Sequence, residues 1–175
     1  ELHHPVEYQN HIFDQLMEAG KEFGLKPYGI RAMNSLRVEK SYKLVGTELS
    51  IEYSPYESGL DRFVHPNKGD FIGRAALDKW RAKGFSNKLV TMEIHGVTDA
   101  DVLGNNPIYD NGSVVGRATS GDFGFRLNKS IALGMVKPEL AKVGQKLKID
   151  ILGKMHEASI VEESPYDSEN KLLRA

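Results

Sequence analysis

Apolar positions along the chain change their spacing once, near residue 85. Before that point they recur at helical intervals. Tyr8, Ile12, Phe13, Leu16 and Phe23 form a stripe at close to 3.6 residues per turn, which predicts a helix over residues 5–25 with Pro5 in its first turn and Gly24 as its stop. Glu1–His4 then reads as the end of a preceding strand. A second helix is predicted over residues 30–42, with Ile30, Met33, Leu36 and Val38 inward and Arg31, Arg37, Glu39 and Lys40 on a solvated face. Between residues 45 and 67 the period is lost and Gly46, Pro55, Gly59 and Pro66 mark turns, a long irregular segment of the kind that carries function. Helical spacing returns over residues 71–83, with Ile72, Ala75, Ala76, Leu77 and Trp80 on one side and Gly84 as terminator.

After residue 85 the texture is that of strands. Residues 88–95, 107–115, 117–127, 130–136, 145–152 and 155–161 are short β-type runs bounded by turn residues, and Asp110-Asn111-Gly112 is a strong hairpin signal. Strands at intervals near ten residues imply a small antiparallel barrel or sandwich. The class is therefore α+β, in two parts that meet near residues 84–87.

Composition narrows the function by exclusion. With 175 residues the chain can bury about 70% of its unfolded surface. Lys and Arg number 23 against 24 Asp and Glu, a net charge of −1, so no broad electrostatic footprint for nucleic acid is expected. The chain has no cysteine, which removes disulfides, thiolate metal sites and cysteine nucleophiles together. Apolar runs are too short to span a membrane, and residues 1–5 lack the pattern of a secretory leader. A soluble, cytoplasmic protein is expected.

No motif in the chain stands alone as a reaction centre. Six histidines are scattered, and the pair His4 and His11 lacks the further ligands zinc requires. Ser120 is not in a G-x-S-x-G elbow, and a turn between strands, with Thr119 and Ser120 bonding nearby backbone, accounts for it. The segment 116–124 has neither the G-x-G-x-x-G spacing nor the G-K-[ST] ending of a phosphate loop. Glu52, Glu57, Asp61 and Asp70 lie in or beside the irregular segment, where solvated loop carboxylates are common. These readings name no catalytic residue and no metal ligand.

Several stretches resemble, in order and spacing, the folate-binding glycine cleavage T-protein (aminomethyltransferase) family. They are Ser35-Leu36-Arg37-Val38-Glu39, Gly46-Thr47-Glu48-Leu49, Ser54-Pro55-Tyr56-Glu57-Ser58-Gly59-Leu60 and Asp70-Phe71-Ile72-Gly73-Arg74-Ala75-Ala76-Leu77, then Asn106-Pro107-Ile108, Val115-Gly116-Arg117-Ala118-Thr119-Ser120-Gly121 and Ile131-Ala132-Leu133-Gly134-Met135-Val136. Within that family the likeness is nearer to the C-terminal region of FAD-dependent dimethylglycine and sarcosine dehydrogenases. It is carried by Ala32-Met33-Asn34-Ser35-Leu36-Arg37, by residues 117–124 followed by Lys129-Ser130, and by the tail 164–175.

The resemblance implies part of a folate-binding α/β domain over residues 1–85 and the T-protein C-terminal β-barrel over residues 86–175. It implies tetrahydrofolate as ligand, with Glu1 gripping the pterin ring, and Met33 at a folate-pocket position where T-proteins carry arginine. A thioether cannot donate the paired hydrogen bonds of a guanidinium, which favours the dehydrogenase branch. The catalytic aspartate of the family has no counterpart among these residues. The implied parent oxidises an N-methyl amine on an FAD domain bound outside this fragment and passes the carbon to tetrahydrofolate, giving 5,10-methylenetetrahydrofolate. The implied partners are folate and the upstream FAD domain, with no nucleic acid and no membrane; the oligomeric state stays open. An aminomethyltransferase proper and a non-catalytic scaffold of the same fold are the alternatives.

Overall fold

A computed structural model describes residues 1–97 and 99–175. It divides into two compact units, Glu1–Met33 and Asn34–Ala175.

In the first unit, α1 spans Gln9–Ala19, with single 3₁₀ turns at Val6–Tyr8 and Lys21–Phe23 on either side. Gly24 ends the run with φ of +67°, a conformation that glycine enters without a Cβ penalty. The predicted stripe is present, but none of its residues is buried: Tyr8, Phe13, Leu16 and Phe23 are all exposed. Thirty-three residues offer this amphipathic helix nothing to pack on. Residues 1–4 form no strand, contrary to expectation, because they have no neighbouring chain to pair with.

Helix α2 spans Ile30–Glu39 and ends in a Schellman turn: Tyr42 N–H donates to Arg37 O, Ser41 N–H donates to Val38 O, and Ser41 takes φ of +54°. The inward and outward faces differ from expectation. Ile30, Met33 and Leu36 are exposed, whereas Glu39 and Lys40 are buried and Arg37 is nearly so. The buried side is polar because it faces backbone rather than an apolar core. Glu39 accepts from Arg126 N–H at 2.7 Å, and Ser35 Oγ donates to Phe123 O at 2.6 Å. Helix α3, Arg74–Lys83, starts after Gly73 and buries no residue; Ile72 is fully exposed.

The second unit is built on β1 Lys88–Ile94, β2 Pro107–Asp110, β3 Ser113–Gly124, β4 Lys129–Val136, β5 Lys146–Ile151 and β6 Lys154–Val161. All pairings are antiparallel and the sheet closes in the order β1-β4-β3-β2-β5-β6. The expected hairpin forms at Asn111 and Gly112, both at positive φ, as a type I′ connection demands. Two predicted strands, 107–115 and 117–127, are redistributed between β2 and a twelve-residue β3. Thr119 and Ser120 consequently lie in a strand and not in a turn; the register shifts between Ala118 and Ser120, a bulge that leaves Thr119 out of the ladder.

Alternate residues of the strands fill the barrel. Met92, Ile108, Ala132, Ile149 and Ala158 are wholly inaccessible within one cluster. The interior has no slack, since a Cβ on Gly134 would stand 2.8 Å from Ile108 Cδ1. β4 is buried on both faces. Ile131, Leu133 and Met135 lie outside the interior cluster at 0–1% exposure, on the opposite side of the same strand. Among the described residues no helix is long and apolar enough to cross a membrane.

Candidate functional site

The most heavily organised polar group of the second unit joins the end of α2 to the β3 bulge. Arg37 sits three residues after Asn34 on the helix, so the two side chains meet: Nη2 and Nε donate to Asn34 Oδ1 at 2.7 and 3.2 Å. Asn34 Nδ2 in turn donates to Asp122 Oδ2 at 2.8 Å and to Gly121 O at 3.2 Å. On its other side Arg37 Nη1 donates to Tyr42 O at 2.8 Å and reaches Glu48 Oε2 at 3.4 Å.

Glu48 is fully buried. Its Oε2 accepts from Leu44 N–H at 2.8 Å and Thr47 Oγ1 at 2.7 Å, and its Oε1 from Ser120 Oγ at 2.6 Å. A ring of polar contacts thus runs from Ser120 through Glu48, Arg37 and Asn34 back to Asp122. Burial alone raises the Glu48 carboxyl, but the hydroxyl of Ser120 and the donors at Leu44 and Thr47 outweigh it and hold the group below the usual carboxylate range. Burial lowers Arg37, opposed by the charges of Glu48 and Asp122. A carboxylate so saturated with donors is a fixed acceptor and not a proton-transfer group. The ring orients α2 on the barrel; we assign it no reacting atom.

Two further groups flank it. Glu57, also buried, accepts from Ser54 N–H and Oγ at 3.0 and 2.9 Å, and through its other oxygen from Ser86 and Asn87 N–H. It therefore ties the irregular segment to the start of β1 and is no solvated loop carboxylate. Arg117 on β3 donates to Tyr53 Oη at 2.6 Å and pairs with Glu52. The Tyr53 hydroxyl is the main cause that raises Arg117 above its ordinary value.

The residues expected to line a folate pocket are in the first unit. Glu1 is in the extended stretch before the first 3₁₀ turn; its side chain is 90% exposed, with His3 Nε2 at 3.5 Å. Met33 is on α2, its N–H bonded to Gly29 O at 3.2 Å, and the residue is 44% exposed. Among the described residues no hydrogen bond or ion pair joins the two. Sequence reasoning missed the buried ring: Glu48, Ser120 and Asp122 lie in stretches that carry the family resemblance but were given no role, and Arg37 was placed on a solvated face. Among the described residues no group of three or more His, Cys, Asp or Glu side chains could hold a metal ion.

The GCVT N-terminal domain family matches residues 1–68, and the glycine cleavage T-protein C-terminal barrel domain family matches residues 87–167. The dimethylglycine dehydrogenase of Homo sapiens mitochondria is 40% identical over 93% of this chain, which spans 19% of that protein. An aminomethyltransferase of Desulfitobacterium hafniense is 36% identical over 92% of the chain, which spans 44% of it. The crystal structure of glycine cleavage system aminomethyltransferase T from Bartonella henselae superposes with a TM-score of 0.71 at 25% identity, covering 78% of this chain and 38% of that one. Two domain families in this order, relatives over nine-tenths of the chain and a shared helical part and closed barrel agree: the chain belongs to the glycine cleavage T-protein family.

Proposed function

We propose that this chain is the folate-binding C-terminal region of an FAD-dependent N-methyl amine dehydrogenase, in which tetrahydrofolate receives the oxidised methyl carbon. The observation that carries the reading is the run of both T-protein families along one chain that is 40% identical to a dimethylglycine dehydrogenase. Residues 1–85 are then the end of the folate-binding domain and residues 86–175 its closing barrel. The exposed apolar stripe of α1 supports this division, since an amphipathic helix with no partner calls for a covering element.

The residues present fit part of a folate site. The Glu1 carboxylate has free acceptor capacity for the paired N–H donors of an aminopterin edge. Met33 offers apolar surface and no charge. Tetrahydrofolate supplies the nitrogen atoms that take up the carbon; Glu1 orients the ring. The described residues form no flavin-binding fold, so FAD is assigned to an upstream domain of the parent chain and no step is routed through it here. The compartment follows the parent: the cytoplasm, or mitochondria as for the human relative. The 36% identity to an aminomethyltransferase supports the second reading, a stand-alone aminomethyltransferase.

The test is titration of the intact parent chain with tetrahydrofolate, with and without Glu1→Ala. Binding that weakens about tenfold or more, the loss of a charge-assisted hydrogen bond, is expected. Absence of binding by the unaltered protein would favour a non-catalytic scaffold. Unchanged affinity in Glu1→Ala would remove Glu1 from the pocket.

A further inference from the structure

We propose that the cleft beside the β1–β6 seam is a binding site for a short aliphatic monocarboxylate, anchored on Lys43. It lies wholly in the second unit and does not depend on the folate reading. The cleft has a volume of about 200 Å³. That space accommodates a three- or four-carbon acid.

Lys43 is the unusual feature. Its side chain is only 8% exposed, and among the described residues its ammonium has one partner, Glu163, whose own side chain is half in water. An ammonium has three N–H donors. One serves Glu163, which leaves two donors to the cleft, where a guest carboxylate gains a second charge-assisted bond.

The other polar groups of the cleft ask for nothing. Lys88 Nζ is committed to Tyr56 O at 2.9 Å and Asp61 Oδ2 at 3.3 Å. Ser41 Oγ and Thr91 Oγ1 bond each other at 2.7 Å, and Ser41 also accepts from Ser164 N–H. Two lysines and two carboxylates cancel, so the cleft has no excess charge with which to attract a phosphate dianion. Its remaining lining is aliphatic, with Val90 and Ile160 buried and Ala141 beside them, which suits a hydrocarbon body. One cationic anchor with donors to spare, a saturated polar floor and aliphatic walls together select a small acid with a short apolar tail.

The test is ligand-observed NMR and calorimetric titration of the intact chain with sodium butyrate, with butylamine and inorganic phosphate as comparators. Butyrate is expected to bind in the millimolar range and the comparators to bind at least about tenfold more weakly. Lys43→Met should cut butyrate affinity by about tenfold or more, Lys43→Arg should retain it, and Lys88→Met should leave it within about twofold. Ala141→Leu, which fills the cleft without touching its charges, should abolish binding. If Lys43→Met fails to fold, the contrast between Lys43→Arg and Ala141→Leu decides. Butyrate that does not bind, that binds no better than butylamine or phosphate, or that binds Lys43→Met or Ala141→Leu undiminished overturns the assignment.

Discussion

Replacing Glu48 by glutamine keeps the size of the side chain and removes its charge, and so isolates the buried ring. Glutamine can present one oxygen to the donors of Leu44, Thr47 and Arg37, but its amide then faces Ser120 Oγ, which must turn to accept. Arg37 is left as a nearly buried cation without its carboxylate. Removing one member of a buried pair costs about 3–5 kcal/mol. The lower end applies, because Arg37 keeps Asn34 and the Tyr42 carbonyl and its reach to Glu48 is long at 3.4 Å. About 3 kcal/mol corresponds to a fall of about 6–12 °C in the melting temperature of a unit of this size. The assay is thermal and urea unfolding by far-UV circular dichroism across pH.

The sign of the pH dependence follows from the direction of the shift. The folded-state pKa of Glu48 lies below its ordinary 4.5, so its contribution is complete above pH 4.5 and is lost as pH falls through the folded value. The gap between wild type and Glu48→Gln should be flat from neutrality down to about pH 5 and close below 4.5. The double variant Arg37→Met/Glu48→Gln should cost less than the sum of its parts, since the orphaned cation is gone. A loss under about 1 kcal/mol for Glu48→Gln, or a gap that persists unchanged in acid, would refute the account of the ring as a charge-stabilised strut.

Gly121→Ala places a Cβ 2.5 Å from the carbonyl oxygen of Val102, backbone that cannot swing aside, and should destabilise the barrel by about 1–3 kcal/mol in urea titration. Ile149→Ala opens a cavity at an inaccessible core position and should cost about 2–5 kcal/mol by the same measurement. Lys40→Met removes donations to Asp167 O at 2.6 Å and Asn170 Oδ1 at 2.7 Å, and should free the C-terminal segment for chymotryptic cleavage at Tyr166 with the barrel's circular dichroism intact. Cleavage at the wild-type rate would show that Lys40 does not hold the tail.

The barrel was legible because each of its devices is local. Alternation marks β5, and Asn111-Gly112 marks the hairpin with the one turn type that two positive φ angles allow. The helices were legible as helices but not as faces. Glu39 and Lys40 read as solvent-facing, yet Glu39 accepts from the backbone of residues 126 and 127, and Lys40 is enclosed by residues 167 and 170. No local pattern encodes a partner almost ninety residues away. Ser120 shows the same limit, since the bulge that aims it at Glu48 exists only once β3 and β4 are paired. The family resemblance supplied what the patterns could not, an expected ligand and two pocket positions.

Closure of the barrel in the order β1-β4-β3-β2-β5-β6 has a consequence for biosynthesis. β1 needs β4 on one side and β6 on the other, so the first strand made is flanked by the fourth and the last. A nascent chain can assemble β1 to β5 into an open sheet while residues 154–161 are still being added. Until they arrive, β1 and β5 present unpaired edges, the feature by which incomplete sheets recruit other chains. Long sequence separation between paired strands also slows the closing step. A ribosome stall or a truncation before Val161 would leave a sheet with two sticky margins, and the chaperone demand of this protein should peak at that point in its synthesis.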